Sequence, residues 1–551
     1  MERVHLDAKR LAAERRRGVW RGRVLTDYLD EIVATRPDDT ALIAFREDER
    51  TTTRLTYREL ASRASRVARA LHRLGVRRGD VVSFQLPNWW EFFAVHLACV
   101  RLGAASNPLM PIFRHHELAF MLAHAESKVF IAPARFRGFD HGALALQLAS
   151  ELPHLEHVLL VGGTGEHSFE ACVAAAAGDA FERGAALEPD DVVQLLYTSG
   201  TTGEPKGVLH TSNTMIGTIL EFADQFRIGA GDVIFMPSPL AHQLGFAYGV
   251  TQAILRGVPV VLTDVWNAAS AVDLIERHGC TFTFAATPFL ADLADFPGLE
   301  QRDLRRLRAF VSSGAPIPPA IVAAAQARLH TTVVTCWGMS ECLSVTATPL
   351  SGHKVLESDG CVVPGEEVRI VDEDGRETVR GVSGTLQVRG AALFVGYLKR
   401  PALYAVDADG WFDTGDIARM DEEGYIRICG RKKDIVIRGG ENIPVVEVES
   451  ALYRMPEIAE VAIVAMPDPR LVERACAFAT LRAGAAVTLD RVRAHLAAEG
   501  VAKHFWPERL EILAEMPRTA TGKIQKFVLR ERAARLAPLP SAEEASAATL
   551  V

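Results

Sequence analysis

Apolar residues along the first four hundred positions alternate between two rhythms. Short β-branched runs at 81–86, 129–132, 157–161, 192–197, 258–262, 281–285 and 309–312 read as buried strands. Between them, apolar residues recur at helical spacing. Thr56 and Glu59 have capping-box spacing, and Leu60, Ala64, Val67, Ala68, Leu71 and Leu74 follow on one face. Gly75 stands where that helix should stop, and a second helix is expected over 90–102. Strands separated by helices predict a layered α/β fold with largely parallel sheets.

Near Gly360 the texture changes. Strands at 368–371 and 385–388 alternate apolar and polar residues, and Asp-Gly turns punctuate the stretch to about residue 432. This predicts a β-rich, barrel-like subdomain. Beyond it a helix is expected at 445–454, a strand at 460–465 and a helix at 489–498. The predicted organisation is α/β plus α+β: a large domain over 1–432, with its β-rich part at 360–432, and a small mobile α+β domain over 433–535. Residues 536–551, rich in Ala, Ser, Glu and Pro, read as a disordered tail.

Charge changes the picture only by exclusion. The 551 residues carry 61 basic and 69 acidic side chains, a net of −8, which argues against nucleic acid or an anionic membrane as partner. No apolar run approaches the ~20 residues of a membrane helix. The N-terminal stretch MERVHLDAKRLAAERRRGVWRGR is too charged for a signal-peptide core. Eight cysteines show neither CxxC nor metal-ligand spacing, so they read as reduced thiols of a cytoplasmic protein.

The strongest chemical signal is Leu195-Leu196-Tyr197-Thr198-Ser199-Gly200-Thr201-Thr202-Gly203-Glu204-Pro205-Lys206-Gly207-Val208. An apolar strand runs straight into hydroxyls, glycines and a lysine. Glycines let successive backbone N–H groups converge on an anion, hydroxyls add donors, and Lys206 adds charge. The order differs from a Walker A loop, because Lys206 precedes Gly207 and no helix-opening Ser/Thr follows. Lysine usage supplies a second hint: the chain has only ten lysines against 51 arginines, and five of the ten (206, 432, 433, 523 and 526) fall inside motifs of this kind. A compact ammonium is chemically distinct from a guanidinium, so this bias points to selected roles.

The phosphate-loop string resembles the signature of the adenylate-forming superfamily, which includes acyl-CoA synthetases, aryl-CoA ligases, peptide-synthetase adenylation domains and firefly luciferase. Further ordered motifs extend the resemblance along nearly the whole chain. Ser312-Ser313-Gly314-Ala315-Pro316 ends a strand with small residues, and the resemblance places Gly314, Ala315 and Pro316 along adenine. In Trp337-Gly338-Met339-Ser340-Glu341, Trp337 offers a stacking face, Ser340 a phosphate donor and Glu341 a hard oxygen for Mg²⁺, with Thr198 as a second metal contact. The family more often has Tyr and Thr where this chain has Trp337 and Ser340. Asp416, in Gly410-Trp411-Phe412-Asp413-Thr414-Gly415-Asp416, matches the ribose acceptor, with Asp413 structural; Arg431 matches the ribose-phosphate contact, while Lys432 is read as solvent-facing. Lys433 falls at the family's interdomain hinge, and Gly439 and Gly440 at the path of the thiol. Lys523, in Pro517-Arg518-Thr519-Ala520-Thr521-Gly522-Lys523, matches the catalytic lysine, and His242 the gate beside the acyl pocket.

The resemblance implies a two-step ligase. A carboxylic acid attacks the α-phosphorus of ATP, giving an acyl-adenylate and pyrophosphate; the thiol of coenzyme A then takes the acyl group and AMP leaves. Residues 107–114 (NPLMPIFR) resemble a segment of medium-chain and cyclohexanecarboxylate–CoA ligases, which makes a medium-chain or alicyclic acid the first expectation and an aryl acid the second. Two rivals stand beside this reading: an adenylating enzyme that loads a carrier protein, and an inactive nucleotide-binding scaffold. The second would be expected to lack Lys523, Glu341 or Asp416, and all three are present. A homodimer is the assembly considered.

Overall fold

The computed structural model describes residues 6, 8–176, 187–198, 205–314, 317–438, 441–468, 471–518 and 523–536. The tail read as disordered lies, from residue 537 on, outside the described residues.

The helix Tyr57–Arg73 forms as its spacing demands. The Thr56 side chain accepts from the Glu59 N–H and Glu59 returns a bond to the Thr56 N–H, so two orphan donors are satisfied at once. Its apolar stripe, Leu60, Ala64, Val67, Ala68 and Leu71, packs on the helix Trp90–Leu102, which is buried on nearly all sides. That second helix ends at Gly103 in the left-handed region, as a helix C-terminus favours.

Two large sheets sandwich these helices. The six-stranded sheet runs Lys206–Thr211, Val192–Thr198, Ala105–Pro108, Val81–Phe84, Val129–Pro133, His157–Val161; only the first pair is antiparallel. The nine-stranded sheet has a parallel centre in the order Thr332–Met339, Ala309–Ser312, Phe282–Ala285, Ile234–Met236, Val260–Thr263, Thr40–Arg46, with antiparallel strands at both margins. Parallel strands covered on both faces read as unbroken apolar runs, and those runs are the pattern visible in the sequence.

The β-rich part is an antiparallel meander of Glu366–Val371, Gly384–Gly390, Phe412–Met420 and Ile426–Arg431. The C-terminal α+β unit has its own five-stranded sheet. In its strand Ile458–Asp468, Val461 and Ile463 face a core with Val448, Leu452, Val492 and Leu496, while Ala462, Val464 and Met466 face Leu529 and Ala533. Helices thus cover both faces, at about 1.5–3 kcal/mol per large buried apolar side chain.

Candidate active site

Parallel α/β sheets bind ligands beyond the carboxyl ends of their strands. Here the chemistry-bearing segments leave that edge together. Ile234–Met236 leads to His242, Ala309–Ser312 to Gly314, and Thr332–Met339 to Glu341. In the neighbouring sheet, Val192–Thr198 leads to the phosphate loop.

That loop is closed at its base by strand pairing. Thr198 lies opposite Lys206 in an antiparallel pair. Ser199, Gly200, Thr201, Thr202 and Gly203 lie outside the described residues, as do Ala315 and Pro316. The Lys206 ammonium faces the ring of Tyr397 at 5.1 Å. Gly314 has φ +83 and nothing within 4 Å of the position a Cβ would take, so a flat group can approach its backbone.

Trp337-Gly338-Met339 lies within a strand, which runs Thr332–Met339 and turns back to Leu343. At Gly338 a Cβ would lie 1.9 Å from the Leu343 carbonyl oxygen, so this turn requires glycine. Glu341 is buried, and Tyr397 donates its hydroxyl to Oε1 at 2.8 Å. Burial pushes the Glu341 carboxyl above its usual range, opposed by the Tyr397 bond and by the Arg431 and Lys206 charges.

Asp416 gathers two donors: Trp337 Nε1 reaches Oδ2 at 3.1 Å and Arg431 Nε reaches Oδ1 at 2.8 Å. Each carboxylate oxygen keeps a second lone-pair site. The Thr414 hydroxyl accepts from the Asp416 N–H and fixes its backbone. Lys432 is exposed, as expected, and pairs there with Asp413 at 2.9 Å.

His242 caps the short helix Gln243–Gly245, its Nδ1 accepting from the Leu244 N–H at 3.3 Å. Burial and, second, the charge of Lys523 lower its pKa to about 4, so the ring is neutral at pH 7. The structure therefore brings Lys523 of the C-terminal unit within electrostatic reach of His242. Lys523 is exposed, next to Ile524, which pairs with Arg518, and stands three residues before the helix Lys526–Ala534. A π-helix, Phe246–Thr251, follows the His242 segment, and its Tyr248 hydroxyl accepts from the Ser344 N–H at 3.2 Å. Gly439 and Gly440 lie outside the described residues.

Two residues of this region escaped the sequence reading. Tyr397 is one. His210 is the other: its Nε2 donates to the Ser340 carbonyl at 2.7 Å and its Nδ1 contacts Thr214 Oγ1 at 3.1 Å, tying the Glu341 turn to the strand after Lys206. A His four residues past a phosphate-loop lysine was a visible signal, but its partner lies 130 positions away.

Among the described residues no group of three or more His, Cys, Asp or Glu could by itself hold a metal. A buried carboxylate nevertheless suits Mg²⁺, which commonly takes one or two protein carboxylates and fills its shell with water and phosphate oxygens. Glu341 fits that part.

Residues 29–398 match the family described as AMP-binding enzyme, and residues 447–523 match the AMP-binding enzyme C-terminal domain. The chain belongs to the adenylate-forming AMP-binding enzymes. It is 35% identical to the medium-chain fatty-acid–CoA ligase of Escherichia coli (strain K12) over 95% of this chain and 93% of that one. It is 34% identical to a salicylyl-CoA synthase / salicylate adenylyltransferase of a Streptomyces species, over 94% and 96%. Among solved structures, the anthranilate CoA ligase AuaEII in complex with anthranoyl-AMP superposes with a TM-score of 0.85 at 26% identity, covering 93% of this chain and 98% of that chain. This adenylate-forming enzyme thus falls in the AMP-forming CoA ligase family, whose members act on both acyl and aryl acids. No described helix is long and apolar enough to cross a membrane.

Proposed function

We propose that this chain activates a medium-chain or alicyclic carboxylic acid with ATP and passes it to coenzyme A in the cytoplasm. The observation that carries the reading is the convergence at one sheet edge of the segments bearing His242, Gly314 and Glu341, where the charge of Lys523 from the C-terminal unit is also felt at His242. An aryl acid is the second reading, favoured by the salicylate and anthranilate ligases among the relatives.

In the first step two anions meet, and positioned positive charge dominates such a barrier. A unit pair at 4 Å is worth about 4 kcal/mol at an effective dielectric of ~20, or roughly three orders of magnitude in rate. Lys523 supplies that charge to the acid carboxylate and the phosphate. Ser199, Gly200, Thr201, Thr202, Gly203 and Lys206 cradle the phosphates. Gly314, Ala315 and Pro316 flank adenine, with Trp337, Gly338, Met339 and Ser340 beside it. Asp416 accepts from the ribose hydroxyls while Arg431 holds it in place. Glu341 and Thr198 would hold Mg²⁺, which supplies charge neutralisation of the departing pyrophosphate. The neutral His242 shields the acid's entry without competing for its charge.

In the second step the thiol needs an open path past Gly439 and Gly440, so Lys523 must withdraw. We place the boundary between domains 1–432 and 433–535 at Lys433, and two ion pairs support this. Lys432 is tied to Asp413 of the large domain, while Asp434 is tied to Arg530 of the small one. Rotation is left to the backbone between them. A homodimer is the assembly carried with this reading, and sizing in solution checks it. Acid-dependent exchange of pyrophosphate into ATP, followed by acyl-CoA formation on adding CoA, tests the whole; exchange without acyl transfer to CoA favours a carrier-protein acceptor.

A further inference from the structure

The stretch of chain ahead of the family match, which begins at residue 29, reaches the nucleotide side of the site. It does so through residues 391–398, a buried loop whose first six residues are neither helix nor strand. Buried irregular backbone must find its hydrogen bonds outside the regular ladders. The N–H groups of this loop turn toward the functional motifs. Phe394 donates to the Glu341 carbonyl at 2.7 Å, Val395 to the Leu209 carbonyl at 2.9 Å and Leu398 to the Gly207 carbonyl at 2.8 Å. With the Tyr397 hydroxyl on the Glu341 carboxylate, one loop ties the Glu341 turn to the strand that carries Lys206.

The carbonyls of the same loop are answered from the N-terminal segment. In the helix Ala8–Arg17, Arg10 donates through Nη1 to the Phe394 carbonyl at 3.0 Å and through Nη2 to the Leu393 carbonyl. Trp20 Nε1 donates to the Ala391 carbonyl at 3.0 Å, and the Arg10 guanidinium lies 5.5 Å from the centre of the Trp20 ring. Val19 and Trp20 are buried against Ala391. At Gly217 a Cβ would lie 2.1 Å from the Val19 carbonyl oxygen, so the segment is seated closely on the helix Ser212–Gln225.

The peptide between Leu393 and Phe394 is the joint. Its oxygen receives the Arg10 guanidinium, and its N–H is the one given to Glu341. A cation on the carbonyl side strengthens that N–H as a donor, because hydrogen bonds in a chain polarise one another. Resting on the function proposed above, we infer that residues 10–20 form part of the nucleotide site and that Arg10 is a positioning residue, holding the Glu341 turn ready for ATP with its divalent cation. Arg10 acts through the peptide rather than on the substrate. Glu341 is assigned to the cation on the departing pyrophosphate, so AMP, which lacks those phosphates, supplies the control.

The test is calorimetric titration of the full chain, without acid so that nothing turns over, using ATP with Mg²⁺, ATP with EDTA, and AMP. Arg10→Ala should weaken binding of ATP with Mg²⁺ about tenfold and leave AMP within about twofold. Its difference from the unsubstituted chain should vanish when EDTA removes the cation. In pyrophosphate exchange the KM for ATP should rise, while the KM for CoA in acyl transfer stays the same. Arg15→Ala cuts another contact of the same helix, with Asp190 at 2.5 Å, and should leave the affinity for ATP with Mg²⁺ unchanged. Should Arg10→Ala fail to fold, Arg10→Gln, which removes the charge and keeps a planar donor, makes the same comparison. An unchanged affinity in the Arg10 variant, an equal loss for AMP, or an equal loss in Arg15→Ala overturns the inference while leaving the activating function standing. An unsubstituted chain that binds neither nucleotide overturns that function and this inference with it.

Discussion

The nucleotide side of the site and the C-terminal unit solve opposite problems. On the nucleotide side the functional groups hold one another: Tyr397 on Glu341, Trp337 and Arg431 on Asp416, His210 on the Ser340 carbonyl. Little reorganisation remains when substrate arrives, which is where positioned dipoles are most effective. Lys523 is the reverse, an exposed cation just ahead of a helix that is packed on the small domain's own sheet. Leu529 and Ala533 anchor its following helix, and Lys526 pairs with Glu449 at 2.6 Å. On the function proposed, one region stays and the other leaves, so that precision would reside in the large domain and timing in the small one.

The sharpest way to break that comparison is Lys523→Ala. Adenylate formation should fall by about three orders of magnitude, while thiolation of supplied acyl-adenylate stays within a few-fold; single-turnover assays of each half-reaction decide. Equal losses in a folded variant would show that the lysine serves both steps.

Next in size is Asp416→Asn. The amide oxygen can replace only one of two acceptor positions, leaving Trp337 or Arg431 unanswered. Because Arg431 is 30% exposed, the cost is nearer about 2 kcal/mol than the value for a fully buried pair, or roughly thirtyfold weaker ATP binding by titration. An unchanged affinity would mean that the group is not arranged in advance.

Lys433→Pro addresses timing. A proline fixes φ near −65° at the residue between the two ion pairs. Thiolation should slow by about tenfold or more while adenylation, served by the arrangement described, is affected less. Unchanged kinetics in both halves would move the pivot elsewhere.

The smallest effect is a pH dependence. His242 has a folded-state pKa near 4 and an unfolded value near 6.5, so the unfolded chain binds more protons between them. Its contribution is complete above about pH 6.5 and is lost as pH falls toward 4. His210 and His96, lowered by burial to about 4 and about 3, act in the same direction. His242→Gln should flatten part of the acid-side decline in melting temperature without abolishing it.

Most of the scaffold was legible because its strands are covered on both faces and its helices carry clear signals; the strands 157–161 and 309–312 and the helices 90–102 and 489–498 form at the residues expected. The motif positions were legible for another reason: phosphate and metal chemistry demand particular residue types in a fixed order. What the string could not show is pairing at a distance. Tyr397 and Glu341 stand 56 positions apart, and His210 and Ser340 stand 130 apart. The need for glycine at 338 is of the same kind, since it comes from the Leu343 carbonyl above it.

The order of the parallel strands has an evolutionary corollary. The loop bearing His242 and Gln243 leaves the sheet three strands away from the one bearing Glu341, a separation of about 14 Å at ~4.8 Å per strand. A lineage could therefore trade residues of 238–247 to change its diet of acids while the fuel-handling machinery stayed where it was, provided Tyr248 kept its bond to the Ser344 N–H.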